Sequence, residues 1–229
     1  MERVYKKELL DDLSVPFEEI RLNMQELDFI NTWLGGHDIT VSGIRKLATG
    51  LNTSTKEPVS ILEIGCGGGD NLRAIKKWAD KKNRRVELCG IDYNPNCIAF
   101  AKQVFPQARY IESDYREAKL DKKPHIIFSS LFCHHFNEAE LVDQLRWMYE
   151  NSQTGFMIND LHRHRLAYWS IRALTRIFSQ SRLVRHDAPL SVQRGFTRGE
   201  WYRLMTAAGI PDAEISWRWA FRWLVLVKK

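Results

Sequence analysis

The stretch of the sequence best suited to chemistry is a glycine-rich segment bounded by two acids, Glu63-Ile64-Gly65-Cys66-Gly67-Gly68-Gly69-Asp70. Glycines are needed where a backbone must turn sharply and where a ligand must contact the main chain, because no Cβ intrudes. A dinucleotide-binding fingerprint would require a glycine at position 70, where the chain has Asp70. The carboxylates of Glu63 and Asp70 would repel a pyrophosphate and suit a ligand that carries cationic groups and hydroxyls.

Two further acids stand where the next two strands are predicted to end. Asp92, followed by Tyr93, closes the second predicted strand, and a carboxylate in that place accepts hydrogen bonds from both hydroxyls of a ribose. Asp114, followed by Tyr115, comes after the third predicted strand, in position to meet the amino group of an adenine. Because the carboxyl ends of parallel strands meet at one edge of a sheet, the glycine loop and both acids predict one nucleotide site.

The elements that position these residues are visible in the pattern of apolar residues. From Val59 onward, short β-rich runs alternate with helical patterns, which is typical of βαβ units and a mostly parallel sheet. Five strands are predicted at 59–64, 86–92, 108–112, 125–130 and 155–160, with helices at 70–82, 95–104 and 138–150. Two runs follow each other almost directly near the C-terminus, at 212–218 and 221–228, and predict a closing antiparallel hairpin. The predicted fold class is therefore α/β, with a Rossmann-like, mostly parallel sheet of seven strands and helices on both faces.

Two segments fall outside this core. Residues 17–50 predict two helices broken at Gly35-Gly36, ahead of a polar linker, LNTSTKEP. Residues 161–195 form a long connection after the fifth strand, with an amphipathic helix at 166–178, and a connection of that length predicts a functional cap. The expected organisation is an N-terminal helical cap segment at 1–58 and an α/β domain at 59–229 with an inserted cap at 161–195.

These motifs resemble the nucleotide-binding motifs of class I S-adenosylmethionine-dependent methyltransferases, over roughly residues 59 to 229. The stretches Leu131–Phe136 and Gly195–Ile210 look like the small-molecule branch that includes the quinone-biosynthesis enzymes, while Leu34–His37 and Asn159–Arg163 look like bacterial enzymes of polyketide or polyene pathways. The resemblance implies S-adenosylmethionine as cofactor and S-adenosylhomocysteine as product. The cofactor contacts that it implies are Glu63, Gly65, Cys66, Gly67, Gly69, Asp70, Asp92, Tyr93, Asp114, Tyr115 and Leu131.

The candidate bases are two adjacent histidines. Methyl transfer from a sulfonium is an in-line displacement, so an enzyme chiefly aligns the reactants and excludes water, and it needs a base only where the acceptor carries a proton. His134 and His135 follow the fourth strand directly, and an imidazole can take a phenolic or enolic proton near neutral pH. The sequence does not choose between the two, either of which could instead be bonded to main chain, and it leaves O-, C- and N-methylation open.

The cap indicates the chemistry of the acceptor. Between 161 and 195 there are seven arginines and a single acid, Asp187, and the helix at 166–178 has an apolar side. That combination suits a hydrophobic aromatic or polyketide-like acceptor with an acidic head, or a contact with an anionic membrane surface. No metal site is expected, because the acids and histidines at 159–164 are few and contiguous. The residues expected to contact the acceptor are His37, Asp160, Arg163 and Trp169.

Composition limits the remaining alternatives. The chain has 229 residues, of which 44% are hydrophobic, and a formal net charge of +6. Its longest apolar runs fall well short of the ~20 residues that a membrane span needs. A charged N-terminal stretch and four cysteines without CxxC spacing predict a cytoplasmic protein with free thiols. Nothing in the sequence determines the oligomeric state.

The positive charge keeps a nucleic-acid methyltransferase as the alternative function. Adenine amino-methyltransferases have an Asn/Asp-Pro-Pro-aromatic loop after the fourth strand, where this chain has Ser130-Leu131-Phe132-Cys133, and Cys133 is not preceded by the proline used for attack on cytosine. A small-molecule acceptor is therefore favoured. A cofactor-binding scaffold without turnover is disfavoured by the histidine pair, and a nicotinamide-dependent oxidoreductase by Asp70 and the closing hairpin.

Overall fold

The computed structural model of the protein describes residues 1–51, 57–210 and 212–229, so most of the predicted linker LNTSTKEP lies outside the described residues. The strands are β1 (Val59–Ile64), β2 (Val86–Asp92), β3 (Arg109–Glu112), β4 (Ile126–Ser130), β5 (Gly155–Leu161), β6 (Glu214–Arg218) and β7 (Arg222–Lys228). The helices are α1 (Phe17–Trp33), α2 (Gly36–Leu47), α3 (Asp70–Lys81), α4 (Pro95–Val104), α5 (Glu138–Asn151), α6 (Arg165–Phe178), α7 (Arg182–Arg194) and α8 (Arg198–Ala207). Short 3₁₀ turns lie at Leu9–Asp11 and Cys133–His135.

The seven strands form one sheet in the order β3-β2-β1-β4-β5-β7-β6. Strands β1 to β5 are parallel, and β7 runs antiparallel between β5 and β6. The predicted Rossmann-like α/β class and its antiparallel closing hairpin are thereby confirmed. The strand order reverses between β1 and β4, so a crevice opens at the carboxyl ends of these two strands.

Both faces of the sheet are covered, which explains why the central strands are continuous apolar runs. Every residue of β1 and of β4 is buried. Helices α5 and α8 cover one face with Leu141, Leu145 and Trp201. Helices α2 and α3 cover the other face with Ile44 and Ile75. This packing on both sides holds the carboxyl ends of the strands in fixed positions.

The cap after β5 contains two helices, α6 and α7, where the sequence predicted one. Helix α7 was missed because Pro189 lies inside it and its many polar residues obscure a helical period. Helix α6 also departs from the prediction, since it buries the small residues Ala167 and Thr175 and turns most of its apolar stripe outward. The exposed apolar residues of α6 are Leu166, Trp169, Leu174, Ile177 and Phe178. Across the described ranges of the chain, no helix has both the length and the apolar character needed to cross a bilayer.

Residues 1–15, called the strap below, cross the carboxyl edge of the sheet. The 3₁₀ turn of the strap is held by Asp187 of α7, whose carboxylate accepts two backbone N–H groups of the turn at 2.9 and 3.0 Å. Arg194, the last residue of α7, donates to the carbonyl oxygen of Lys6 at 2.8 Å. The strap is therefore fastened to the cap.

Gly155→Ala is expected to destabilise the fold strongly. Gly155 opens β5 at φ +140°, and a Cβ there would lie 2.1 Å from the carbonyl oxygen of Val227 in β7. Because β7 is paired on both sides, it cannot move away. We expect the free energy of unfolding to fall by more than about 3 kcal/mol, measured by urea denaturation.

The matched control is Gly209→Ala. Gly209 also has a positive φ, +79°, but no atom lies within 4 Å of the position that its Cβ would take. Only the backbone strain remains at this position, so the loss should be about 1 to 2 kcal/mol. Equal losses in the two variants would show that the contact with β7 is not what requires glycine at 155.

Candidate active site

The glycine loop turns at the carboxyl end of β1 and leads into α3. Gly65, Gly67 and Gly69 have φ angles of +66°, +47° and +73°, in the left-handed region that favours glycine. At Gly65 a Cβ would lie 2.3 Å from the ring of Phe132. The first glycine is thus required by packing within the chain, and not only by the approach of a ligand. Cys66, between the glycines, is buried, and burial raises the pKa of its thiol well above the ordinary value.

Asp92 ties this loop to the end of β2. Its Oδ2 accepts the N–H of Gly67 and its Oδ1 accepts that of Asn94, both at 2.9 Å. Asn94 caps α4, because its side chain accepts two N–H groups of the first turn. Burial raises the pKa of Asp92. Each carboxylate oxygen keeps a further lone pair, so Asp92 can still accept two hydroxyls. Tyr93 is largely exposed beside it.

Two more carboxylates flank the loop. Glu63 is buried, its Oε1 accepts from Asn71 at 3.0 Å, and burial raises its pKa well above the ordinary value. Asp70 pairs with Nε2 of His37 at 2.8 Å and accepts from Nδ2 of Asn31 at 3.1 Å. Burial alone would raise the pKa of Asp70, but the bond with His37 leaves it lowered, so this carboxylate stays charged. A negative charge at the mouth of the loop suits a cationic amino group.

The remaining predicted cofactor residues lie beyond the ends of β3 and β4. Asp114 is partly exposed, and its pKa is lowered by a hydrogen bond from Arg116. Tyr115 is buried, and its ring packs edge-on against that of Phe132. Leu131 has φ +54°, a conformation that is uncommon outside glycine and concentrated at functional positions. The fold therefore gathers the predicted cofactor residues at one edge of the sheet.

The two histidines after β4 meet carboxylates of the strap. Nδ1 of His134 lies 2.8 Å from Oδ1 of Asp160, at the end of β5, and its Nε2 lies 3.4 Å from Oε1 of Glu8. Nδ1 of His135 lies 2.8 Å from Oδ1 of Asp11, and its Nε2 lies 3.6 Å from Oε2 of Glu8. An ionised carboxylate only accepts, so both Nδ1 atoms donate. At 3.6 Å the Nε2 of His135 is beyond hydrogen-bonding distance of Glu8, so it makes no hydrogen bond with that carboxylate.

The charges of this network set the protonation of His134. Burial alone would lower the pKa of His134, but Asp160 and then Glu8 raise it to about 9. Burial would likewise raise the pKa values of Asp160 and Glu8, yet the histidines leave both lowered. His134 is therefore an imidazolium near neutral pH, without a lone pair that could take a proton.

Sequence reasoning missed Glu8 and Asp11. They lie in a charged segment without the period of a helix or strand, and one local signal was available. The N–H of Glu8 donates to Oδ2 of Asp11 at 3.0 Å, and a polar side chain followed three residues later by an acid is the pattern of a capping box. That signal predicts a turn but not its partner, since His135 lies 124 residues away along the chain from Asp11.

A cavity of about 320 Å³ lies between the strap, α1, α6, α7 and the turn that joins β6 to β7. Its wall is mainly apolar and includes Leu27, Ile30, Leu131, Ile171, Leu174, Val192, Trp219 and Phe221. The polar side chains that interrupt this wall include Asn31, His134, His135 and Arg222. A mostly apolar cavity with a few polar groups is the usual form of a small-molecule site.

The four residues predicted to contact the acceptor lie elsewhere. His37 is at the glycine loop, and Asp160 is fully buried at the end of β5. Arg163 is buried and pairs with Glu200 at 2.7 Å. Trp169 stands on the outer side of α6 and is 58% exposed. None of these four side chains lines the cavity. Direct contact of these four residues with the acceptor stays a prediction, while Asp160 and Arg163 bond to His134 and Glu200 within the protein.

Two clusters among the described residues bring potential metal-ligand atoms together. One contains Glu8, His134 and His135, and the other contains Asp28, His37 and Asp70. Within each cluster these atoms lie within 4.8 Å of one another. Each cluster has positive charge of its own close by. Arg194 Nη1 lies 3.9 Å from Glu8, and Arg73 pairs with Asp28 at 2.5 Å. Both clusters therefore also form ion pairs within the protein.

Comparison with known proteins places this geometry in context. Residues 61–155 match a family model described as "Methyltransferase domain", and no curated protein matches the chain. The structure is similar to that of the plantazolicin methyltransferase BpumL in complex with SAH, at a TM-score of 0.62 and 19% identity over 91% of this chain and 88% of that one. It is also similar to magnesium protoporphyrin IX methyltransferase (ChlM) from Synechocystis PCC 6803 with bound SAM, at a TM-score of 0.54 and 11% identity over 85% and 80% of the two chains.

At these identities the solved structures show a shared fold. The family match covers the part of the chain that carries the glycine loop, Asp92, Asp114 and the histidine pair. Motif and family match agree that residues 61–155 carry a methyltransferase domain, and the fold around them is shared with methyltransferases solved with SAM or SAH.

Proposed function

We propose that the protein transfers a methyl group from S-adenosylmethionine to a small apolar acceptor held in the cavity, with His135 as the base where the acceptor carries a proton. The observation that carries this proposal is that the cavity adjoins the glycine loop. Asn31 lines the cavity and donates to Asp70 at the mouth of the loop. His135 lines the same cavity.

The residues around the glycine loop fit the predicted cofactor by their chemistry. When bound, S-adenosylmethionine supplies a methyl group carried by a sulfonium. Asp92 has free lone pairs for the ribose hydroxyls, and the charged Asp70 matches an ammonium group. Asp114 stands at the neighbouring strand end, where it can accept from the adenine amine. These assignments agree with the positions of the three carboxylates along one edge of the sheet.

His135 is the better candidate of the histidine pair. Asp11 fixes the proton on Nδ1 of His135 and leaves Nε2 free to take a phenolic or enolic proton. His134 cannot act in this way because its pKa is raised to about 9. The His134 and His135 ring centroids are 4.6 Å apart, so the imidazolium of His134 favours an acceptor that has lost its proton. Proton removal at an enol activates carbon as well as oxygen, and the proposal covers O- and C-methylation.

The apolar walls contribute alignment and the exclusion of water. A displacement at carbon gains most when the reacting atoms are held in line, and a rigid cavity provides that restraint. Aromatic rings or a polyketide chain bury well against leucine and isoleucine side chains. Side chains from the strap, α1 and α6 enclose the site on three sides.

The disposition of the cap arginines supports a small acceptor over a nucleic acid. Arg194 is buried and donates to the carbonyl oxygen of His134 at 3.0 Å, and Arg163 is buried beside Glu200. Arg182 pairs with Glu19 at 2.9 Å. Much of the positive charge counted in the sequence is therefore used inside the protein, and an enclosed apolar cavity does not admit a folded RNA.

Three further expectations stay predictions. The outward apolar side of α6, next to Arg172 and Arg176, is the feature that supports contact with an anionic membrane surface. The four cysteines are free, which agrees with the predicted cytoplasmic location. The division into segments 1–58 and 59–229 agrees with the packing of the strap, α1 and α2 beside the α/β sheet.

Asp92→Asn is expected to weaken cofactor binding. The variant keeps the size of the side chain but replaces charge-assisted hydrogen bonds with neutral ones. The Kd for S-adenosylmethionine should therefore rise about tenfold to a hundredfold, measured by calorimetry. Glu87→Gln, an exposed acid on the same strand, is the control and should bind as the parent does. An unchanged Kd for Asp92→Asn would show that the ribose lies elsewhere.

His135→Gln is expected to lower kcat by about a hundredfold or more while leaving the Kd for S-adenosylmethionine unchanged. The measurement is release of S-adenosylhomocysteine with a panel of phenolic and enolic aromatic acceptors. Asp11→Asn should reduce kcat less, because it loosens the histidine without removing it. His164→Asn is the control, since His164 is exposed and asparagine preserves its role as the cap of α6. Full turnover by His135→Gln would refute the base assignment.

His134→Gln is expected to change how stability depends on pH. The folded pKa of about 9 lies above the ordinary 6.5, so the contribution of His134 is fully present below about pH 6.5 and is lost as the pH rises through 9. The contribution is on the order of 3 kcal/mol. The raised pKa values of the four thiols add a separate loss at alkaline pH, so the informative quantity is the difference between parent and variant in urea denaturation at each pH. A difference that does not change with pH would contradict the buried ion pair.

A further inference from the structure

Arg222 is a buried cation without a counter-ion in the part of the chain that the structure describes. It is the first residue of β7, and its side chain is almost fully buried, with the residue 3% exposed. Nη2 donates to Oδ1 of Asn31 at 2.8 Å, whereas Nη1 is buried and has no hydrogen-bond partner within residues 1–51, 57–210 and 212–229. Among the described residues, no carboxylate lies within ion-pairing distance of the Arg222 guanidinium.

A cation in this state is unfavourable for the free protein. A guanidinium has five N–H donors, and a buried charge without a partner loses several kcal/mol of hydration that nothing replaces. Burial lowers the pKa of Arg222 to about 10, which still leaves it charged at neutral pH. Asp160 and Asp70 act on it from a distance but do not bond to it. An apolar residue of similar length would fill the same space at lower energy.

The surrounding backbone nevertheless holds the guanidinium in place. Ala220 and Phe221, which lead into Arg222, both have positive φ angles, +59° and +56°, which side chains other than glycine adopt at some strain. Gly36 of α2 leaves room for the guanidinium, because a Cβ at Gly36 would lie 3.1 Å from Cζ of Arg222. The backbone turn at Ala220 and Phe221 directs Arg222 toward the cavity wall, and the absence of a Cβ at Gly36 leaves space for its guanidinium.

The cavity is where a counter-ion can enter. Arg222 lines it together with Asn31, Leu131 and Phe221. The other cation at this site, the imidazolium of His134, is already neutralised by Asp160 and Glu8. Arg222 is thus the charged group of the cavity wall whose bonding capacity is unused within the described residues.

We propose that Arg222 is an anion anchor for the ligand of this cavity, which is an apolar molecule bearing a carboxylate. The carboxylate accepts from Nη1 while the apolar part fills the cavity. That this ligand is the methyl acceptor rests on the proposed function; the recognition of the anion does not.

The test compares two probes of the same shape, naphthoate and its uncharged amide, naphthamide, titrated into the full chain by calorimetry. The parent protein should bind naphthoate about tenfold to a hundredfold more tightly than naphthamide, as a charge-assisted hydrogen bond would give. Arg222→Met, which keeps the length without the charge, should bind both probes as the parent binds naphthamide. Arg172→Met, an exposed arginine outside the cavity wall, should keep the parent preference.

Two further measurements separate anchoring from a structural role and from the methyltransferase proposal. Arg222→Met should keep the parent urea midpoint or exceed it, because it removes an unpaired buried charge; a lower midpoint together with a retained preference for naphthoate would make Arg222 structural and overturn the anchor. If Arg222→Met does not fold, Arg222→Lys decides, and it should retain a reduced preference.

A parent protein that binds both probes equally also overturns the anchor, whatever the variants do. A separate titration of the parent protein with S-adenosylhomocysteine tests the proposed function. Binding of that product without discrimination between the probes leaves the proposed function standing and removes the anchor. Discrimination between naphthoate and naphthamide without binding of S-adenosylhomocysteine leaves the anchor standing and contradicts the proposed function.

Discussion

The buried ion pair between His134 and Asp160 is the interaction on which the rest of the site depends. It joins the ends of two neighbouring strands, β4 and β5, in the interior, where a lone charge would be strongly disfavoured. One carboxylate leaves the imidazolium with its second nitrogen unsatisfied, and Glu8 meets that need from the strap. A segment with little apolar surface of its own is thereby drawn over the edge of the sheet. The chemistry of the strand ends, rather than a hydrophobic contact alone, sets where the first residues of the chain lie.

The same arrangement divides the histidine pair by role. His134 has a carboxylate at each ring nitrogen, while His135 has one carboxylate at hydrogen-bonding distance and a second slightly too far away. The two adjacent histidines therefore differ in how many carboxylates they bond, because one contact with Glu8 is slightly longer than the other. Two close carboxylates outweigh burial at His134 and keep that imidazole charged.

The parts of this molecule that the sequence predicts well are those encoded by local patterns. Strands β1 and β2 have the predicted bounds, and the turn of the glycine loop follows from residue types that few other conformations accept. The parts it does not predict depend on partners far along the chain. No local pattern around Glu8 predicts its contact with His134. Arg222 is a single cation at the start of an apolar strand, and the sequence around it does not predict that it is buried. Both become informative only when the fold shows what surrounds them.

Helix α6 illustrates the opposite error. Its pattern is correctly helical, but the pattern alone did not say which side faces the protein. The helix buries the small residues Ala167 and Thr175, borders the cavity with Ile171 and Leu174, and leaves Trp169, Ile177 and Phe178 exposed. Amphipathic periodicity establishes that two sides differ; burial depends on what the rest of the chain offers as a surface.

Asn31 links the two halves of the site through a single amide. Its NH₂ group donates to Asp70 at the glycine loop, and its carbonyl oxygen accepts from Arg222 in the cavity wall. An amide with an anion on one side and a cation on the other has one favourable orientation, so it cannot flip without losing both bonds. The glycine loop and the cavity wall are therefore held in register by α1.

The strap also has a consequence for how the protein is made. Its residues are synthesised before every element that they bind, and its bonds to α7 join positions up to 191 residues apart. Until His134 and His135 emerge, Glu8 and Asp11 remain hydrated carboxylates without these partners, and until α7 emerges the strap has nothing to fasten it. Contacts of such long separation form late in folding. The nascent chain therefore builds its nucleotide-binding edge first and covers it last, when the α/β sheet beneath is already in place.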